Sequence, residues 1–152
     1  MPKRSAGLLM YRRAGGALEL LLVHMGGPFW ARRDEGAWSI PKGEYGDGED
    51  ALAVAKREFA EEVGALPDGD FLDLGEITQP GRKRVRAFAL EGDFDVGRLQ
   101  SNMFEMEWPP KSGRRQSFPE VDRAEWFAPD AARRKILAGQ RPFVDRLLAR
   151  VG

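Results

Sequence analysis

Apolar positions along the chain form two kinds of pattern. Short continuous runs cover Ala6 to Arg12 and Leu18 to Met25, and Phe71 to Gln79 and Val85 to Leu90 follow later. Runs of this length, bounded by turn residues, predict strands. Gly15-Gly16 predicts a hairpin turn between the first two, and Pro80-Gly81-Arg82-Lys83 a basic turn between the later two. Gly26 to Gly36 predicts a loop. Trp38-Ser39-Ile40 is a short strand stopped by Pro41, and Gly43 to Gly48 predicts an acidic, glycine-rich loop. Met103 to Trp108 is a further strand, ended by Pro109-Pro110; Gly113 to Pro119 is loop-like, and Trp126-Phe127 can close the sheet.

The other pattern is helical. Leu52, Ala55, Phe59 and Val63 recur on one face of Glu49 to Val63. Asp47, Glu49 and Asp50 sit where the helix dipole favours negative charge, and Gly64 supplies a stop. Ala131 to Ala138 and Pro142 to Val151 predict two more helices, with Phe143, Leu147 and Val151 docking the last. Strands outnumber helices and hairpins mix with them. The class is α/β (α+β), a sandwich around a mixed sheet.

Composition narrows the function more than the fold. The 152 residues suit a single domain spanning 1–152. Net charge is zero, so no overall field draws the chain to nucleic acid or to an anionic membrane. The absence of cysteine excludes disulfides, thiol catalysis and thiolate metal sites, and suits a cytoplasmic setting. His24 is the only histidine, so no multi-histidine site can form, and a polar role at a strand end is expected for it. No run approaches the ~18 apolar residues of a membrane span. Met1-Pro2-Lys3-Arg4-Ser5 carries no apolar stretch of a secretory leader.

The chemistry concentrates on one helix face. Glu58, Glu61 and Glu62 lie three and four apart, where like charges repel by a few tenths of a kcal/mol per pair. They also lie at the C-terminal end, where the dipole disfavours them. Arg57, four residues before Glu61, can pair with one acid but cannot neutralise three. Clustered carboxylates next to a loop that brings backbone carbonyls near make an all-oxygen site. Such sites suit Mg²⁺ or Mn²⁺, with open positions left for water and substrate phosphates. A merely solvated acidic face is the plainer alternative.

These residues resemble a family motif. Gly43, five residues, Glu49, seven residues, then Arg57-Glu58-Phe59-Ala60-Glu61-Glu62-Val63-Gly64-Ala65 is similar to the Nudix box, with every fixed position filled. Phe59 and Ala65 depart from the bulky aliphatics the family favours. The resemblance implies a Nudix-type α/β/α sandwich and hydrolysis of a nucleoside diphosphate linked to another group. It makes Glu61 and Glu62 the main metal ligands, with Glu58 a further ligand or the base that activates water. It gives the Gly43 carbonyl to the metal, Arg57 the task of holding the glutamates, and Glu49 a bracing role. The implied cofactor is Mg²⁺, with Mn²⁺ as a substitute.

Substrate choice lies outside the box. Trp38-Ser39-Ile40-Pro41-Lys42-Gly43 resembles the entry of the diadenosine polyphosphate hydrolase branch. Lys42 and the cationic turn at Lys83 are candidates for extra phosphates. Trp38, Trp30, Phe29 and Phe104 are candidates for stacking on a base. A fourth carboxylate is expected from Glu120, or from Glu105 and Glu107 on one face of their strand. Two other classes stay open: a non-catalytic nucleotide-binding module, and a hydrolase of RNA 5′ ends using Arg82 to Arg86 and Lys111 to Arg115.

Overall fold

The structure is a computed structural model that describes residues 3–152; Met1 and Pro2 of the N-terminal stretch read above lie outside the described residues. Its centre is β1 (Arg4–Ala14). Along one edge β1 pairs in parallel with β6 (Arg84–Glu91), which pairs antiparallel with β5 (Phe71–Thr78). Its other edge is shared. β2 (Ala17–Met25) leaves the Gly15-Gly16 turn and pairs with the C-terminal part of β1, from Tyr11 to Ala14. The N-terminal part, Arg4 to Gly7, pairs with β4 (Lys42–Tyr45). Beyond Leu20, β2 pairs with β9 (Val121–Phe127) and with β3 (Trp38–Ser39). Seven strands thus form one mixed sheet. β7 (Met103–Glu107) and β8 (Arg115–Pro119) form a separate two-stranded hairpin.

The continuous apolar runs reflect a sheet covered on both faces. Ala6, Leu8 and Met10 of β1 point to one side, with Leu21 and Val23 of β2. There they pack with Val54, Ala55, Phe59 and Val63 of α1 (Ala51–Val63). Leu9 and Tyr11, with Leu20 and Leu22, point to the other side. That layer holds Ala132 and Ile136, the latter just past α2 (Pro129–Lys135), and Phe143, Val144 and Leu147 of α3 (Arg141–Val151). The result is the expected α/β/α sandwich with three α-helices.

The caps of α1 fix the acidic face. Asp50, rather than Glu49, is the N-cap, and its carboxylate accepts the Ala53 N–H at 2.9 Å. Gly64 ends the helix at φ 88°, the left-handed region that favours glycine, and its N–H bonds the Ala60 carbonyl.

Three expected loops or ends are strands. The stretch 43–48 begins as part of β4, because β2 leaves the N-terminal edge of β1 unpaired and Lys42–Tyr45 fills it. Arg115–Pro119, expected as loop, pairs with β7 after a turn through Gly113 at φ 73°. The closing strand at Trp126-Phe127 starts already at Val121. Among the described residues no helix is long and apolar enough to cross a membrane.

Candidate active site

β4 lies against α1, and this contact builds the site. A Cβ placed on Gly43 would meet the Glu58 carboxyl carbon at 2.1 Å. Only glycine lets that carboxylate come against the β4 backbone. One residue earlier, the Lys42 N–H donates to Glu62 Oε2 at 3.1 Å. The helix face and the strand are therefore joined through both acids.

Glu62 is only 8% exposed. Burial, and then the negative charges of Glu58 and Glu120, push its carboxyl up to about 8, against the pull of Lys42. Glu58 is raised as well, by burial and then by Glu61, with Arg57 acting in the opposite direction. Glu120 is raised by partial burial of its carboxylate and by Glu61. The Lys42 ammonium is lowered by burial, and Lys83 adds to the effect through like charge. The structure thus brings Glu120 into the electrostatic neighbourhood of the helix acids, and Lys83 into that of Lys42.

Backbone bonds explain the position of Glu120, at the joint between β8 and β9. Its N–H donates to the Asn102 carbonyl, and the Asn102 N–H donates to the Glu61 carbonyl, both at 2.9 Å. Glu105 and Glu107 are engaged elsewhere. Glu105 lies 3.9 Å from Arg115, and Glu107 accepts the Lys111 N–H at 2.8 Å.

Arg57 does not pair with Glu61. Its guanidinium lies 3.5 Å from Glu49 and 3.7 Å from Glu58. Helical side chains lean toward the N-terminus, which carries Arg57 back to Glu49. Glu49 in turn accepts the Gly46 N–H at 2.9 Å, which, followed by Arg57, lowers its pKa. A brace runs from the β4–α1 turn through Glu49 and Arg57 to Glu58.

Beside the acids opens a cavity of about 320 Å³. Glu62, Glu120 and Lys42 are in its wall, and Trp30 and Phe104 supply aromatic surface. Glu61 and Arg57 instead border a neighbouring cleft of about 450 Å³ with Asn102 and Leu66. The acids form a ridge between the two. Trp38 walls neither. It is 1% exposed, its indole N–H bonds Asp34 at 2.9 Å, and its ring packs edge-on against Phe127 and His24. This correction to its expected stacking role follows from the sheet, which turns the ring into the core.

Two buried polar groups tie distant segments together, and of these Gln140 carried no signal in the sequence. Gln140 is fully buried; it accepts the Ile40 N–H at 3.1 Å and bonds Ser39, holding the segment that leads to Lys42 and Gly43. His24 bridges Asp122 at 2.7 Å and the Arg33 carbonyl at 2.6 Å, tying the Gly26–Gly36 loop to β9.

Among the described residues no three acidic, histidine or cysteine side chains close into a ready-made metal cage. The donor set still fits a hard cation. It is all oxygen, it includes a desolvated carboxylate beside two other acids, and Gly43 leaves its backbone open to Glu58. Few protein ligands are needed where water and phosphate complete the coordination.

Fold and acid ridge together define a class. The NUDIX domain model matches residues 1–147, so the chain belongs to the NUDIX family. Solved structures agree on the fold. A binary complex of C. elegans Ap4A hydrolase is 21% identical, with 97% of each chain covered and a TM-score of 0.65. The NUDIX domain of Shewanella oneidensis NrtR, complexed with ADP ribose, is 13% identical over 100% of this chain and 90% of that one, at 0.67. A MutT protein from Methanosarcina mazei Go1 is 18% identical over 98% and 95%, at 0.63. No curated protein matches the sequence.

Proposed function

We propose that this chain is a divalent-cation-dependent pyrophosphohydrolase. It cleaves a phosphoanhydride in a nucleoside diphosphate linked to another group, with a dinucleoside polyphosphate or a nucleoside triphosphate as substrate. The observation that carries this reading is the gathering of Glu58, Glu61, Glu62 and Glu120 beside a cavity walled by Lys42 and two aromatic rings. A surface charge run has no need of a desolvated carboxylate, an open backbone at Gly43, or a fourth acid brought from the β8–β9 joint. The names of the structural neighbours support the choice of nucleotide.

Each residue has a task. Glu61, Glu62, Glu58 and the Gly43 carbonyl would hold Mg²⁺ or Mn²⁺. That ion would neutralise phosphate charge and acidify water. Arg57, braced by Glu49, keeps Glu58 against β4. Trp30 and Phe104 take the base, which leaves the phosphates to extend past Lys42 toward Lys83. Water attacks phosphorus, the anhydride P–O bond breaks, and a phosphorylated product leaves. Glu58 or Glu120 accepts the water proton.

The test is a turnover screen with Mg²⁺ and with Mn²⁺. It covers nucleoside triphosphates, dinucleoside polyphosphates, nucleotide sugars and inositol pyrophosphates. Cation-dependent release of a phosphorylated product, abolished in Glu61→Gln, is the expected result. Tight nucleotide binding without release under either cation would move the chain to the non-catalytic class.

A further inference from the structure

The reaction described above makes no use of His24, the single histidine, which is 1% exposed at the end of β2. Both of its ring nitrogens face oxygen. The Arg33 carbonyl, which can only accept, lies 2.6 Å from Nε2, and an Asp122 carboxylate oxygen lies 2.7 Å from Nδ1. Nε2 therefore carries hydrogen, and Nδ1 does as well wherever Asp122 is ionised. Around the ring, Trp38 of β3 meets it edge-on at 5.1 Å. The Arg123 guanidinium of β9 lies over that indole, and Asp34, paired with Lys135, takes the indole N–H.

Each nitrogen holds a different wall of the cavity. On the Nδ1 side the register of β2 and β9 shifts. His24 is opposite Arg123 but Met25 is opposite Val121, so Asp122 is an extra residue, a β-bulge. Val121 and Ala124 both pack in the α1 layer although three apart, an odd spacing that a regular strand does not allow. A slip of one residue would exchange the faces of Val121 and Glu120. In the bulged register Val121 is buried and Glu120 is in the cavity wall. The joint is tight there. The Gly26 N–H donates to the Glu120 carbonyl at 2.9 Å, and a Cβ on Gly26 would lie 1.9 Å from the Pro119 carbonyl oxygen. On the Nε2 side Arg33 closes a turn on Trp30, its N–H donating to the Trp30 carbonyl at 3.0 Å. Trp30 is the aromatic wall opposite the acids.

We infer that His24 is a positioning residue, a buried clamp that pins the β9 bulge, and Glu120 with it, to the loop that presents Trp30. It does not touch substrate. It fixes where the acid of the β8–β9 joint stands relative to the ring that receives the base. Its effect on turnover rests on the catalytic reading above, whereas its hold on Trp30 does not.

As the only histidine, His24 has an unambiguous ring NMR spectrum, which should show hydrogen on Nε2 protected from exchange. A bare or freely exchanging Nε2 overturns the clamp. Asp122→Ala removes one of its two acceptors, with a melting curve as the check on folding. It should lower kcat about tenfold, as Glu120→Gln does, and the double variant should lose no more than Glu120→Gln alone. Asp122→Ala should also raise KM, because the loop of Trp30 is loosened, while Glu120→Gln should not. His24→Gln, which keeps a single donor direction, is the second variant and should behave alike. Fully additive kcat losses, as a merely structural histidine would give, overturn the positioning role. Absence of turnover in the wild type overturns the catalytic reading instead, and binding then decides. A methylene-bridged nucleoside triphosphate should bind Asp122→Ala about fivefold more weakly than wild type, the low end for one stacked base. That loss should vanish in a Trp30→Ala background. Equal affinity of wild type and Asp122→Ala, or a loss that persists without Trp30, overturns the clamp.

Discussion

Replacing Glu62 by glutamine should make the cation-free protein more stable at pH 8 and flatten its response to pH. The sign follows from proton linkage. In the folded state the Glu62 carboxyl holds its proton up to about 8, because burial and the charges of Glu58 and Glu120 oppose ionisation. In the unfolded chain it releases that proton near the ordinary glutamate value of 4.5. Between those values the unfolded state binds fewer protons than the folded one, so stability falls as pH rises. The stabilising contribution is complete below about 4.5 and gone above about 8. At about 1.4 kcal/mol per pH unit, the ceiling over that window is ~5 kcal/mol. Water reaching the ionised carboxylate should keep the observed loss below that ceiling. Glu58 and Glu120 shift in the same direction and add to the slope. Asp34, Glu49 and Asp93 are lowered, so their contributions change at acid pH, outside the window. Glutamine keeps an oxygen for the Lys42 N–H and carries no charge to desolvate. The assay is urea unfolding in EDTA at pH 5.5 and pH 8, wild type beside Glu62→Gln. The midpoint of the wild type should fall with pH, and that of the variant should fall much less. Parallel slopes for the two proteins would refute the reasoning.

Divalent cation should oppose this loss: millimolar Mg²⁺ at pH 8 should raise the wild-type melting temperature, by about 1.4 kcal/mol of stability at tenfold excess over Kd, and should not raise that of Glu62→Gln to the same extent. Glu61→Gln and Glu62→Gln should each lower turnover at least about 100-fold, since each removes a charged ligand from a hard cation; near-wild-type kcat in both would remove the metal assignment. Glu120→Gln should lower kcat by about tenfold or more with an unchanged melting curve, while Glu105→Gln and Glu107→Gln, held within the β7–β8 hairpin, should be close to silent. Lys83→Gln should raise KM more for nucleoside tetraphosphates than for diphosphates, and equal losses on both would show that this turn does not read phosphate-chain length.

The sequence was most informative where one local rule decided the outcome. The stripe Leu52, Ala55, Phe59 and Val63 determined which face of α1 is buried, so the direction of Glu58, Glu61 and Glu62 followed from helical spacing alone. The continuous runs in β1 and β2 implied a sheet covered on both sides for the same kind of reason. What stayed hidden depended on pairings between distant segments. Lys42–Tyr45 looks like a loop because its glycine and charges are poor strand formers. It becomes β4 only because β1 is longer than the stretch β2 can pair with. Trp38 offered an attractive ring for a base, and nothing in its neighbours said that the sheet would bury it.

The acid ridge illustrates the difference between a motif and a site. Gly43 stands fifteen residues before Glu58, and the motif alone explains neither why it is glycine nor why the acids tolerate one another. The packing of β4 on α1 explains the glycine, since any Cβ there would occupy the space of the Glu58 carboxylate. The repulsion among the acids is then held in place by the core beneath them: Phe59 and Val63, fully buried, anchor the helix whose outward face carries the strain. Burial of two such side chains contributes roughly 3–6 kcal/mol, comparable to the electrostatic cost at Glu62. The fold can therefore hold a destabilised carboxylate cluster without unfolding.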